Sequence, residues 1–209
     1  MAKKKQQKKK SKARGIMGRS DIPYAQRMAM QHQSDIVANR DHAAKIALYC
    51  LSIAMNEEEG IGYKRLVRFS YRHKEAIDEF YEDPDVGMAH AKHRLEQMGM
   101  PISGDFYTIE VEGQSKREQD ISNHRVQAMQ IALLCGTITM NDEFGFGQER
   151  QFRISEKAKE LSAQYVKKGE KFLLEKMEKI GFLIIDGEVK ACVDKDGNAV
   201  STKKWREQQ

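Results

Sequence analysis

The chain has 209 residues, of which 40% are apolar and 32% charged, a balance that supports a packed core and excludes a wholly disordered protein. No apolar run reaches the roughly 20 residues of a membrane helix, and the start lacks the apolar stretch and cleavage site of a secretory signal, so the expectation is a cytoplasmic protein without a membrane partner. The formal charge of +5 resembles a nucleic-acid signal until it is divided: residues 1–14 hold eight lysines and arginines, leaving −3 for the rest.

Residues 1–34 read as a basic tail and linker. Lys3, Lys4, Lys5, Lys8, Lys9 and Lys10 fall in a Lys/Gln/Ser segment with too little apolar surface to offset its ordering entropy, and a disordered stretch is expected there. Helix becomes plausible from Pro23 onward.

Residues 35–119 and 120–209 then state one pattern twice. At an offset of 85, the segments Asp35–Ser70 and Asp120–Ser155 share seventeen of thirty-six positions, which reads as a tandem duplication. In each copy an aspartate, Asp35 or Asp120, stands where a helix N-cap would, ahead of apolar residues spaced by three and four: Ile36, Ala43, Ile46, Ala47, Cys50 and Ile53 in the first. The identities lie mainly on this stripe, so it reads as core. Cys50 and Cys135 share a repeat position on it, and with Cys192 they are expected to be reduced and buried.

The first helix of each copy ends in a turn, MNEEEGIG or MNDEFGFG, whose two glycines suit a chain reversal. A second helix follows from Tyr63 or Gln148. A break at Asp83-Pro84-Asp85 or Lys168-Gly169 precedes a third helix that runs to Gly99 or Gly181. Beyond it the period becomes two: residues 105–112 read as a strand, and residues 182–202, with two Asp-Gly turns, as a hairpin or three-strand meander. The expected fold is mainly α with minor β: two tandem homologous three-helix units, each with a short β appendage.

The turn lacks both the GxxxxGK[ST] and GxGxxG phosphate-loop patterns, and its acidic residues lack the alternation of a calcium loop. Its acid, Glu58 or Glu143, is expected to pair with Arg65 or Arg150 across the turn. The second helix carries a repeated basic set: Arg65, Arg68, Arg72 and Lys74 in one copy, and Arg150, Arg153, Lys157 and Lys159 in the other. Such spacing could contact successive phosphates, or could serve as a solvated face or as ion-pair partners of the acidic turn. A helix-turn-helix reading is weak, because the turn is long and base-reading residues are lacking. His90 and His93 form an H-x-x-H pair, but the second copy has Phe172 and Glu175 there and no third ligand is spaced to complete a metal site. No nucleophile and base recur together, so neither a catalytic residue nor a cofactor is assigned.

The turn motifs, with Phe144, Gly145, Phe146, Gly147, Arg150 and Arg153 in the second copy and Gly60, Gly62, Arg65, Leu66, Arg68 and Phe69 in the first, resemble a GFGxxRLxRF-type turn of small helical proteins encoded by bacteriophages and mobile elements. Glu59 and Ile61 depart from it. The resemblance implies a helical unit and a mobile-element origin and transfers no catalytic residue. The expected function is that of a non-enzymatic, nucleic-acid-associated accessory protein, holding phosphates through the tail lysines and the second-helix arginines. The alternative is a protein-interaction module, motivated by the acidic body and by divergent charge: −5 over residues 35–119 against +1 over residues 120–209.

Overall fold

The computed structural model describes residues 23–99 and 115–207. The chain is mainly helical. Its described elements are α1 (Tyr24–Glu59), α2 (Tyr63–Glu82), α3 (Pro84–Gln97), α4 (Lys116–Phe144), α5 (Gln148–Lys168), α6 (Glu170–Ile180), a hairpin of β1 (Leu183–Ile185) and β2 (Glu188–Lys190), and a short α7 (Thr202–Arg206). The strand expected over residues 105–112 lies outside the described residues, as does the tail with Lys3, Lys4, Lys5, Lys8, Lys9 and Lys10.

Helix begins at Tyr24, as expected from Pro23 onward, but the two expected aspartate caps are not formed. Asp35 lies inside α1 and Asp120 inside α4, so neither is an N-cap. The stretch from Tyr24 to Ser34 contains no breaker and several strong helix formers, and helix simply propagates through it. In α4 the cap is Ser115, whose hydroxyl accepts from the Glu118 N–H while the Glu118 carboxylate accepts from the Ser115 N–H, a capping box. The two aspartates act between helices instead. Asp35 is paired with Arg117 and takes a hydrogen bond from Gln31, while Asp120 lies 2.7 Å from His32. These two contacts are reciprocal, since Arg117 stands at the repeat position of His32 and Asp120 at that of Asp35.

The same register continues down the helices. An added Cβ at Gly136 would meet the Cδ1 of Leu51, its own repeat position, so α1 and α4 lie parallel and in register. Buried small residues, Ala43, Ala47, Cys50 and Ala54 on α1 with Ala128, Ala132, Cys135 and Gly136 on α4, are suited to such a close pair. The second helices cross over: α2 packs chiefly on α4 and α5 on α1, while α3 covers α2 and α4, and α6 covers α1 and α5.

One core results. Ile46, Leu51, Met55 and Phe69 share it with Met140, Ile154, Leu173 and Met177, all nearly inaccessible to solvent. Phe80, Ile131 and Cys135 form a smaller cluster beside it. The three cysteines are free thiols and buried.

The other boundaries follow their local chemistry. Asp83 caps α3 by accepting from the Val86 N–H, with Pro84 at the first helical position. Gly99 and Gly181 adopt positive φ after their helices. The Asp186-Gly187 pair, with φ of 53° and 78°, makes the hairpin turn, and a single bridge between Val193 and Ala199 flanks the second Asp-Gly.

Candidate functional site

The turn that recurs in the sequence at an offset of 85 is built as a wedge. Gly60 and Gly145 both take φ of 63°, which lets the chain leave the helix and drive the next residue, Ile61 or Phe146, into the core. Asn56 donates its amide to the Ile61 carbonyl at 3.0 Å, and Asn141 does the same to Phe146 at 3.2 Å. Each amide thus closes a ring over its glycine. Both asparagines are among the seventeen shared positions, and that identity was the signal that could have found them.

The expected ion pairs within each turn are not formed. Glu143, at the end of α4, receives Arg68 at 2.6 Å and Arg72 at 3.4 Å from α2. At the end of α1 it is Glu59 rather than Glu58 that is paired, with Arg153 at 2.7 Å and Arg150 at 3.7 Å from α5. The reason is the crossover: α2 starts beside the C-terminus of α4 and α5 beside that of α1, where cationic side chains also meet the negative end of the helix dipole. Arg65 stacks over the Phe144 ring at 4.9 Å, and Arg150 over Phe146 at 5.5 Å. Lys157 is shared between Glu57 and Glu160, while Lys74 pairs with Asp78 and Lys159 with Glu156 along their own helices.

The third helices repeat the device. Arg94 of α3 pairs with Asp142, and Lys176 of α6 with Glu57 at 2.5 Å, so equivalent cations reach equivalent carboxylates. At Glu57 burial pushes the carboxyl pKa up, but the adjoining Lys176 and Lys157 outweigh it and the net shift is downward. All the basic side chains singled out on α2 and α5 therefore have an acidic or aromatic partner. Arg68, Arg72 and Arg150 nevertheless remain more than half exposed.

The sequence reading missed His73. It is 1% exposed, stacked on Phe69, and its Nε2–H donates to the Ala132 carbonyl at 2.7 Å. Burial holds its pKa below the ordinary histidine value. Its ring lies 3.6 Å from where a Cβ on Gly136 would sit. At the repeat positions stand Ala158 and Leu51, so large and small exchange places between the copies. That joint exchange was the available signal. Gln151 is a second buried polar group; its amide donates to the Phe146 carbonyl at 2.7 Å.

Tyr63 ties the hairpin segment to α2. Its hydroxyl accepts from the Cys192 N–H at 2.5 Å and lies 3.3 Å from the Cys192 carbonyl, and burial raises its pKa to about 12. Burial likewise pushes the Cys50 and Cys135 thiols up to about 12, which makes them inert at neutral pH. His93 lies within hydrogen-bond distance of Gln97 on its own helix, and no group of three or more His, Cys, Asp and Glu among the described residues is arranged to hold a metal. None of the described helices is long and apolar enough to cross a membrane. No protein-family model, curated protein or solved structure matches the chain.

Proposed function

We propose that the chain is a non-enzymatic, nucleic-acid-associated accessory protein of a phage or mobile element, in which the lysine tail holds phosphates and the helical body is the scaffold that carries it. We infer further that the body arose from two tandem homologous units whose equivalent helices pair about a pseudo-two-fold axis. The observation that carries the division of labour is the pairing of Arg68 and Arg72 with Glu143, and of Arg150 and Arg153 with Glu59. A phosphate would have to displace these carboxylates, whereas the tail concentrates eight charges within fourteen residues.

Gel-shift titrations with duplex, single-stranded and branched DNA at low salt test this reading. Removing residues 1–14 is expected to weaken binding more than tenfold and to flatten its salt dependence. Arg68→Gln with Arg153→Gln is expected to change it less than threefold. Absence of a shift with the full chain for every ligand would sink the reading.

The protein-interaction alternative keeps one observation of its own, the open acidic groove between α2, α3 and α4. Co-purification after nuclease treatment, repeated without residues 1–14, separates the two readings. A protein partner retained by the shortened chain would favour the alternative.

A further inference from the structure

The groove bounded by α2, α3 and α4 encloses about 900 Å³. A groove between α1 and α6, which shares with it the corresponding positions Ile53, Glu57, Phe172 and Lys176, encloses about 290 Å³. One cause is visible in the sequence: counted back from Gly99 and Gly181, Ala91 of α3 stands where α6 has Leu173, so the core-filling side chain is missing on this side. The floor is apolar, with Ala76, Phe80, Ala91 and Ile138. The rim is acidic: among the described lining residues, Glu75, Glu79, Glu82, Asp83, Asp142 and Glu143 stand with Arg72 and Arg94 as fixed cations and with His90. The smaller groove is balanced, with Glu57 and Glu175 against Lys176 and Lys179. Glu79 and Glu82 have no ion-pair partner among the described residues, unlike Glu143, Asp142 and Glu75.

We propose that this groove is the docking site of the chain's own lysine-rich segment, residues 3–14. Lysine suits such a surface because its aliphatic stem can lie on an apolar floor while the ammonium reaches a carboxylate rim. The reach also fits. Arg40 sits over the Tyr81 ring at 4.3 Å, which places the Glu82 end of the groove level with Arg40. From Pro23 to Arg40 the helix rises about 26 Å. The nine residues from Arg14 to Pro23 span at most about 30 Å, enough for the basic run to reach the Glu82 end of the rim. Attraction between exposed charges of this kind is screened by salt. Acid rim and phosphate backbone thus compete for the same lysines, and in this respect the inference deepens the functional reading above.

The test uses the full chain with a nitroxide at Ala2→Cys, a selective site because Cys50, Cys135 and Cys192 are all buried. Paramagnetic broadening of the amide signals of Glu79, Phe80 and Ala91 is expected at low salt. It should be lost at high salt and lost again at low salt in Glu79→Lys with Glu82→Lys, while Phe172 and Lys176 in the smaller groove stay sharp throughout. Absence of broadening at low salt overturns the proposal, as does broadening that survives both salt and charge reversal. Broadening seen only when spin-labelled chains are mixed with unlabelled, isotope-enriched ones also overturns it, since the docked tail then belongs to a second copy. The salt comparison needs no substitution in the body and stands if the double variant misfolds. Loss of DNA binding alone leaves this readout untouched, so the two proposals fail separately.

Discussion

Leu51 and Gly136 occupy the same repeat position and face each other across the α1–α4 contact, one filling the space that the other leaves. A Cβ on Gly136 would lie 2.5 Å from Leu51 Cδ1, and Leu51 is only 1% exposed, so the leucine has little room to yield. Gly136→Ala should therefore destabilise the protein by about 1–3 kcal/mol through overpacking, despite the ~1 kcal/mol that alanine gains over glycine in a helix. In a Leu51→Ala background the same change should be neutral or stabilising. Urea titration of the four variants measures the inversion, and additive effects would contradict the packing described here.

His73 makes stability depend on pH with a defined sign. Burial holds its folded pKa below the ordinary histidine value near 6.5, so above that value the residue is neutral in both states and costs nothing. As pH falls below it, the unfolded chain takes up a proton that the folded chain refuses, and stability drops by up to about 1.4 kcal/mol per pH unit. Comparing the chain with His73→Gln by thermal unfolding between pH 7.5 and about 5 isolates this contribution. The difference between the two curves should grow in favour of the glutamine variant as the pH falls.

Glu57 acts at more acid pH. Its lowered pKa means that its stabilisation is complete above the unfolded value near 4.5 and is lost as the pH falls through the folded value. Its pairs with Lys176 and Lys157 are partly exposed, so Glu57→Gln should cost no more than about 1 kcal/mol at neutral pH. The cost should shrink in salt and vanish at acid pH. A cost independent of salt would place its origin in packing rather than charge.

Tyr63→Phe should act locally. Removing the hydroxyl leaves the Cys192 N–H without its partner, at a cost of about 1–3 kcal/mol. Hydrogen exchange should accelerate over residues 188–193 while α1 and α4 stay protected.

The elements were legible in the sequence where local chemistry decides them. Asp83-Pro84, Gly60, Gly145, Gly181 and Asp186-Gly187 each end or begin an element through their own backbone preferences, and each does so where expected. The start of α1 was legible in part: helix was expected from Pro23 onward and begins there, while Asp35, which resembles a cap, lies inside it. Which helix meets which was hidden. When two segments carry the same residues, pairing Glu143 with Arg150 and pairing it with Arg68 satisfy the same pattern, and only the length and direction of the helices decide between them. Shared positions led to the wedge and its arginines. The residues that differ in concert, His73 with Gly136 against Ala158 with Leu51, carried information that a search for identities discards.

That concerted difference has a consequence for what the scaffold can become. A homodimer with equivalent helices on its axis must present the same side chain from both sides, so a leucine there meets a leucine and a glycine meets a glycine. A single polypeptide escapes this requirement. Its two sides can be altered one at a time, which allows a histidine to enter one flank and a widened acidic groove to open on one face only.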